Sequence, residues 1–144
     1  MQTEGAWMKT EGFELVVPAK VDKLQDVMAF LEEHLGEAGP KLLMKLSIAV
    51  EEIFVNIASY AYELETGKAT MRLEFEENPR TVVITFIDEG VPFNPLARPD
   101  PDVTLSAEER GIGGLGIFMV KKTMDDMKYQ RLDGKNVLTL VKNL

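Results

Sequence analysis

The sequence predicts a two-layer α/β sandwich, in which three helices cover one face of a mostly antiparallel, mixed sheet. Three observations carry that expectation. Segments with apolar residues at period 2 and at period 3.6 follow one another in the order β-α-α-β-β-loop-α-β-β. The strands come in sequence-adjacent pairs with turn residues between them, which favours antiparallel hairpins and places the helices on one side of the sheet. The chain of 144 residues fits a single domain large enough to bury a core.

Each element has its own signature. Residues 1–11 are polar apart from Ala6, Trp7 and Met8 and read as a loose lead-in, with one domain over residues 12–144. Phe13 to Val17, closed by Pro18, reads as a strand. Asp22 is placed to cap a helix that runs to Leu35, with Leu24, Val27, Met28 and Leu31 at helical spacing, and Gly36 and Gly39 end it. Pro40 opens a second helix, predicted to reach Tyr62, whose core stripe is Leu42, Leu46, Val50, Ile53 and Ile57. Ala69–Glu76 and Thr81–Asp88 form a hairpin turned at Glu77-Asn78-Pro79-Arg80. From Glu89 to Arg110 the periodicity lapses into a proline-rich segment of the length that functional lids have. A third helix follows to Met124, with Ile117, Val120 and Met124 inward. Met127–Leu132 and Asn136–Lys142 then close the chain as a hairpin turned at Asp133-Gly134.

Composition narrows the chemistry. The formal net charge is −8, from 24 acidic and 16 basic residues, a balance that repels nucleic-acid phosphates. There is no cysteine and a single histidine, His34, so thiol catalysis and Cys-ligated zinc are excluded and a multi-histidine metal site has no material. His34 reads as a surface residue near a helix end. Without a long apolar run or a signal-peptide core, the chain reads as cytoplasmic, with no membrane partner.

Three clusters carry polar chemistry. On the second helix, Glu52 and Asn56 are one turn apart and share a face. A carboxylate there can take a proton from a hydroxyl, and an amide oxygen one turn on is a hard ligand suited to Mg²⁺; the same pair would serve as a solvated helix edge. Asp88 ends the apolar strand VVITFI and is followed by Glu89 and Gly90. It can accept from an exocyclic amine, with Gly90 letting the backbone approach a flat ring, or the three residues can be a plain turn. The third cluster, Arg110–Val120 (RGIGGLGIFMV), has four glycines running into a helix, which suits a phosphate cradle and equally a hinge. It satisfies GxGxxG without the preceding strand of a dinucleotide fingerprint, and it lacks the Lys-Ser or Lys-Thr of a Walker loop.

In this order the clusters resemble the GHKL or Bergerat-fold ATP-binding superfamily, most closely its bacterial anti-sigma-factor serine/threonine kinase branch. The resemblance runs over nearly the whole chain from Phe13. EEIFVN resembles the N-box, DEGVPFNP the first glycine box, and GGLGIFMVKKTMDDMKYQRLDGKNVLTL the second glycine box with the closing hairpin. It implies a Bergerat ATPase fold that binds ATP and Mg²⁺. Glu52 would be the general base and Asn56 the Mg²⁺ ligand, while Asp88 would accept from the adenine amino group beside Gly90. Phe93, Arg110, Gly111, Gly113, Gly114, Leu115 and Gly116 would complete the nucleotide contacts, Gly114 and Gly116 holding phosphate oxygens. Thr139 would line the adenine pocket, although the family's usual Gly-Thr near this strand is here Lys135-Asn136. Pro92 stands where the first box has its second glycine, and Arg110 is offset from the arginine that meets the terminal phosphate in the anti-sigma kinases. The function so implied is phosphorylation of a serine or threonine on an anti-sigma-factor antagonist protein, together with sequestration of a sigma factor. Family members often dimerise through the sheet side and the first helix, so the resemblance makes a homodimer one possible assembly. The competing reading is a nucleotide-dependent partner-switching module without catalysis.

Overall fold

Strict alternation in the strands separates an apolar face from a mixed one, and that separation builds the molecule. The computed structural model describes residues 11–62, 67–97 and 115–144. Its strands are β1 (Glu11–Pro18), β2 (Lys68–Glu76), β3 (Thr81–Asp88), β4 (Asp126–Leu132) and β5 (Lys135–Asn143). They form one sheet in the order β1-β2-β3-β5-β4. All four pairings are antiparallel, so the sheet described is not mixed. On one face Ala69, Met71, Leu73 and Phe75 of β2, Val82, Ile84 and Phe86 of β3, and Leu138 and Leu140 of β5 are buried.

Three helices cover this face: α1 (Leu24–Leu35), α2 (Pro40–Tyr60) and α3 (Leu115–Thr123). Their inward stripes are Val27, Leu31 and Leu35; Leu46, Val50, Ile53, Phe54 and Ile57; and Ile117 and Val120, all in one core with the sheet residues. The predicted stripe of α2 is thus the buried one, except that Leu42 is only partly covered. The boundaries differ in detail. A short 3-10 turn, Val21–Lys23, precedes α1, and no side chain caps either element, so Asp22 lies in that turn instead of capping the helix. Helix α2 stops at Tyr60: the cap residue Ala61 still makes the helical bond to Ile57 O at 3.0 Å, but its own carbonyl accepts from Val91 N–H at 2.8 Å.

His34 is a packed residue, contrary to the surface position read from the sequence. Its ring stacks on Phe13 at 3.9 Å and meets Phe30 edge-on at 4.7 Å. The closing hairpin turns at Asp133 (φ 53°) and Gly134 (φ 77°), the two left-handed residues that a two-residue primed turn demands. The far face of the sheet carries no helix among the described residues. It holds the ion pair Arg72–Glu14 at 3.1 Å, and next to it a patch that includes Val83, Thr85, Ile87, Val137 and Val141.

Candidate nucleotide site

The site forms where α2, the C-terminal end of β3, the start of β5 and the first turn of α3 converge. Helix periodicity places Glu52 and Asn56 beside the core stripe, and Asn56 Nδ2 donates to Glu52 Oε2 at 3.3 Å. That bond leaves the Asn56 amide oxygen to face a cation or water. Across from Glu52 lies Gly116 in the first turn of α3. A Cβ there would sit 2.2 Å from the Glu52 carboxyl carbon and 2.3 Å from both its oxygens. The absence of a side chain at Gly116 therefore lets the Glu52 carboxylate rest against the α3 backbone near the positive end of its dipole. Glu52 and Gly116, 64 residues apart along the chain by residue number, meet at this contact.

Asp88 occupies the other end. It is buried, 5% exposed, and its Oδ1 accepts from Gly90 N–H at 2.9 Å and from Asn136 Nδ2 at 2.9 Å. Beside Asp88 lies a narrow cleft that opens to solvent and whose lining includes Asn56, Asp88 and Ile117 but not Glu52, Gly90 or Gly116. Ile53, Ile57, Phe86, Ile117 and Leu138 give it apolar walls, and Asn56, Asp88, Tyr129 and Asn136 supply polar groups. Phe93, 46% exposed, and Pro95 stand at its edge. Apolar walls with a buried acceptor at the inner rim have the chemistry that suits a flat apolar ring carrying a donor.

Gly90 is adjacent to this slot for a reason the sequence does not show. A Cβ on it would lie 2.0 Å from Ala61 O and 2.5 Å from its carbonyl carbon, so the residue must be glycine to pass the end of α2. Its own carbonyl accepts from Arg131 Nη1 at 2.8 Å. Thr139 is not brought to the cavity. Alternation along β5 turns Asn136 and Leu138 toward the helices and Thr139 to the far face, where it pairs in register with Thr85 and Lys128. Arg110, Gly111, Gly113 and Gly114 lie outside the described residues, as does the part of the proline-rich segment beyond Ala97; Leu115 begins α3.

Three residues not singled out by sequence shape the site. Asn136, 5% exposed, sits directly opposite Asp88 in the β3–β5 ladder. Its Oδ1 accepts from Phe93 N–H at 3.2 Å and from the Tyr129 hydroxyl, and its Nδ2 also reaches Val91 O at 2.8 Å. Tyr62, behind Asp88, donates to Lys68 O at 2.7 Å and accepts from Glu89 N–H at 2.8 Å. Burial pushes its phenol above the ordinary 10.0, and the Asp88 and Glu89 carboxylates push the same way. Arg131, on the edge strand, ties Gly90 as described. The available signal for Asn136 was the departure at Lys135-Asn136, but its partner could be named only once the β3–β5 register was known.

The chain matches the model of the histidine kinase-like ATPase domain over residues 17–142. It is 29% identical over 135 residues to the serine/threonine-protein kinase BtrW of Bordetella bronchiseptica, with 92% of each chain covered. It is 27% identical over 137 residues to the serine-protein kinase RsbW of Bacillus mycoides, covering 90% of this chain and 84% of that one. RsbW of Bacillus anthracis is similar at 27% over 135 residues, covering 89% and 82%.

Proposed function

Because this chain belongs to the histidine kinase-like ATPase domain family, we propose that the cavity beside Asp88 binds ATP and that the protein transfers its terminal phosphoryl group to a serine or threonine of a partner protein. The single observation that supports this most is the convergence of three separate sequence clusters on one cavity. Asp88 supplies the acceptor for the adenine amine, the apolar walls take the ring, and α3 directs its first-turn N–H groups toward the phosphates. Glu52 is the general base: its carboxylate stands by the α3 N-terminus, where the partner's hydroxyl must arrive to attack in line.

The donor set also fits Mg²⁺. The Asn56 amide oxygen is a hard oxygen beside the site, and Mg²⁺ sites that involve phosphates use few protein ligands. When bound, the ion would offset phosphate charge. The chain contributes orientation through the Asn56–Glu52 bond and keeps water from the ring through Ile53, Ile117 and Leu138.

All three similar proteins are named serine-protein or serine/threonine-protein kinases, which supports the kinase reading over a module that only holds nucleotide. The partner proposed is an anti-sigma-factor antagonist, with a sigma factor sequestered in alternation, in the cytoplasm. No helix among the described residues is long and apolar enough to cross a membrane. Self-association belongs to the same proposal. It is supported by the uncovered sheet face, where Val16 is 50% exposed, and sedimentation at rising concentration tests it.

The deciding experiment is calorimetric titration with Mg-ATP of the wild type and of Asp88→Asn, followed by incubation with labelled ATP and the antagonist protein. Wild type should bind, and Asp88→Asn should bind roughly 10- to 100-fold more weakly, as expected for loss of a charged hydrogen-bond acceptor. Glu52→Ala should keep binding and lose transfer by roughly 10²-fold or more. Absence of ATP binding by the wild type sinks the reading; transfer that survives Glu52→Ala removes the base assignment alone.

A further inference from the structure

Asn136 uses every hydrogen-bonding group it has. An asparagine amide offers two N–H donors and one oxygen with two lone pairs. Here the two donors go to Asp88 Oδ1 and Val91 O, at 2.9 and 2.8 Å, and the oxygen accepts from Phe93 N–H and the Tyr129 hydroxyl. No capacity is left for a ligand, although the residue lines the cavity. Its effect on a ligand must pass through Asp88.

That effect is specific. Gly90 N–H and Asn136 Nδ2 both bind the same carboxylate oxygen, Oδ1. Among the described residues no donor reaches Oδ2. Two bonds to one oxygen fix the rotation of the carboxyl plane, and the second oxygen is left as a pure acceptor. Gly90 alone, two residues along the same chain, would hold Asp88 as a local turn does and leave the carboxylate free to swing with that turn. Asn136 adds an anchor from another strand, and it holds the Val91–Phe93 backbone in the same grip. We infer that Asn136 is the positioning residue for base selection: it orients Asp88 so that Oδ2 meets a 6-amino group, and without it the site holds a purine nucleotide but no longer favours the amine. This rests on the nucleotide-binding reading above and goes beyond it by assigning the selectivity to a residue that does not touch the base.

The test compares ATP with purine riboside triphosphate, which lacks the 6-amino group, by calorimetry in Mg²⁺. Wild type should prefer ATP by roughly tenfold or more, the discrimination expected of a buried charged acceptor. In Asn136→Ala and Asn136→Leu, which remove the donor at two side-chain volumes, the preference should fall to about threefold or less while binding of the amine-free nucleotide persists. Asn136→Thr keeps one hydroxyl donor opposite Asp88 but cannot span to Val91 and Phe93. It should retain the preference and bind both nucleotides more weakly. A residue that merely stabilised the fold would lower both affinities together and leave their ratio alone. Circular dichroism identifies which variants fold. A folded Ala or Leu variant with the wild-type ratio overturns the inference, and should both unfold, a collapsed ratio in Asn136→Thr overturns it. Wild type that binds neither nucleotide instead removes the nucleotide-binding reading itself.

Discussion

Gly90 and Tyr62 both neighbour Asp88, and each makes a separate demand. A methyl group at Gly90 would penetrate the Ala61 carbonyl, and backbone atoms cannot step aside as a flexible side-chain end can. Gly90→Ala should therefore destabilise by about 1–3 kcal/mol, in the range of overpacking, as measured by urea unfolding, and should weaken ATP binding because the displaced segment carries Asp88. From sequence, glycine after Asp-Glu reads as room for a ligand; the neighbour that requires it is a helix end 29 residues earlier by residue number, which no local pattern reveals. At Tyr62 the folded-state pKa lies above the ordinary 10.0 because burial and two carboxylates oppose the phenolate. A raised folded value means that the native chain holds the proton longer than the unfolded chain. The associated stability is fully present below the unfolded pKa and is lost as pH rises through the folded one. Ultraviolet titration should show one tyrosine component ionising above pH 10. Tyr62→Phe should remove that component together with the corresponding alkaline loss of stability.

At the scale of elements, period alone located the strands and helices. Val50, Ile53 and Ile57 recur at helical spacing and are buried together, and Met71, Leu73 and Phe75 alternate and face one core. Local turn chemistry was equally readable. Asp133-Gly134 adopts two positive φ values, and Gly134→Ala should cost about 1 kcal/mol in chemical denaturation, since alanine resists that conformation. What sequence could not supply is registry between elements distant along the chain. The β4–β5 register follows from a two-residue turn, but β3 pairs with β5 across the proline-rich segment and α3, so nothing local says that Asp88 faces Asn136. The same missing register explains Thr139. The parity that points Asn136 and Leu138 inward sends Thr139 outward, and a one-residue step in a strand is a change of face. The meeting of Glu52 with Gly116 is likewise a packing result of α2 against α3, foreshadowed only by the order of the motifs.

At the scale of the molecule, the cavity draws its walls from α2, β3, β5 and α3, so a ligand there ties together elements from both halves of the chain. Unfolding disperses these walls, and a nucleotide that binds only the native state must stabilise all of them at once by mass action. At a free concentration 100 times the dissociation constant, that stabilisation is about 2.7 kcal/mol. For a domain of this size the thermal midpoint should rise by roughly 10 °C. The shift should grow with the logarithm of nucleotide concentration and fall to roughly half or less at the same concentration in Asp88→Asn, whose weaker binding leaves about 0.4–1.4 kcal/mol. Glu52→Ala should keep most of it, because the carboxylate acts on the partner's hydroxyl and not on the ring. The contrast assigns binding to the β3–β5 end of the cavity and chemistry to the α2–α3 end. A Glu52→Ala protein that lost as much of the thermal shift as Asp88→Asn would show that the two ends do not divide the work in this way.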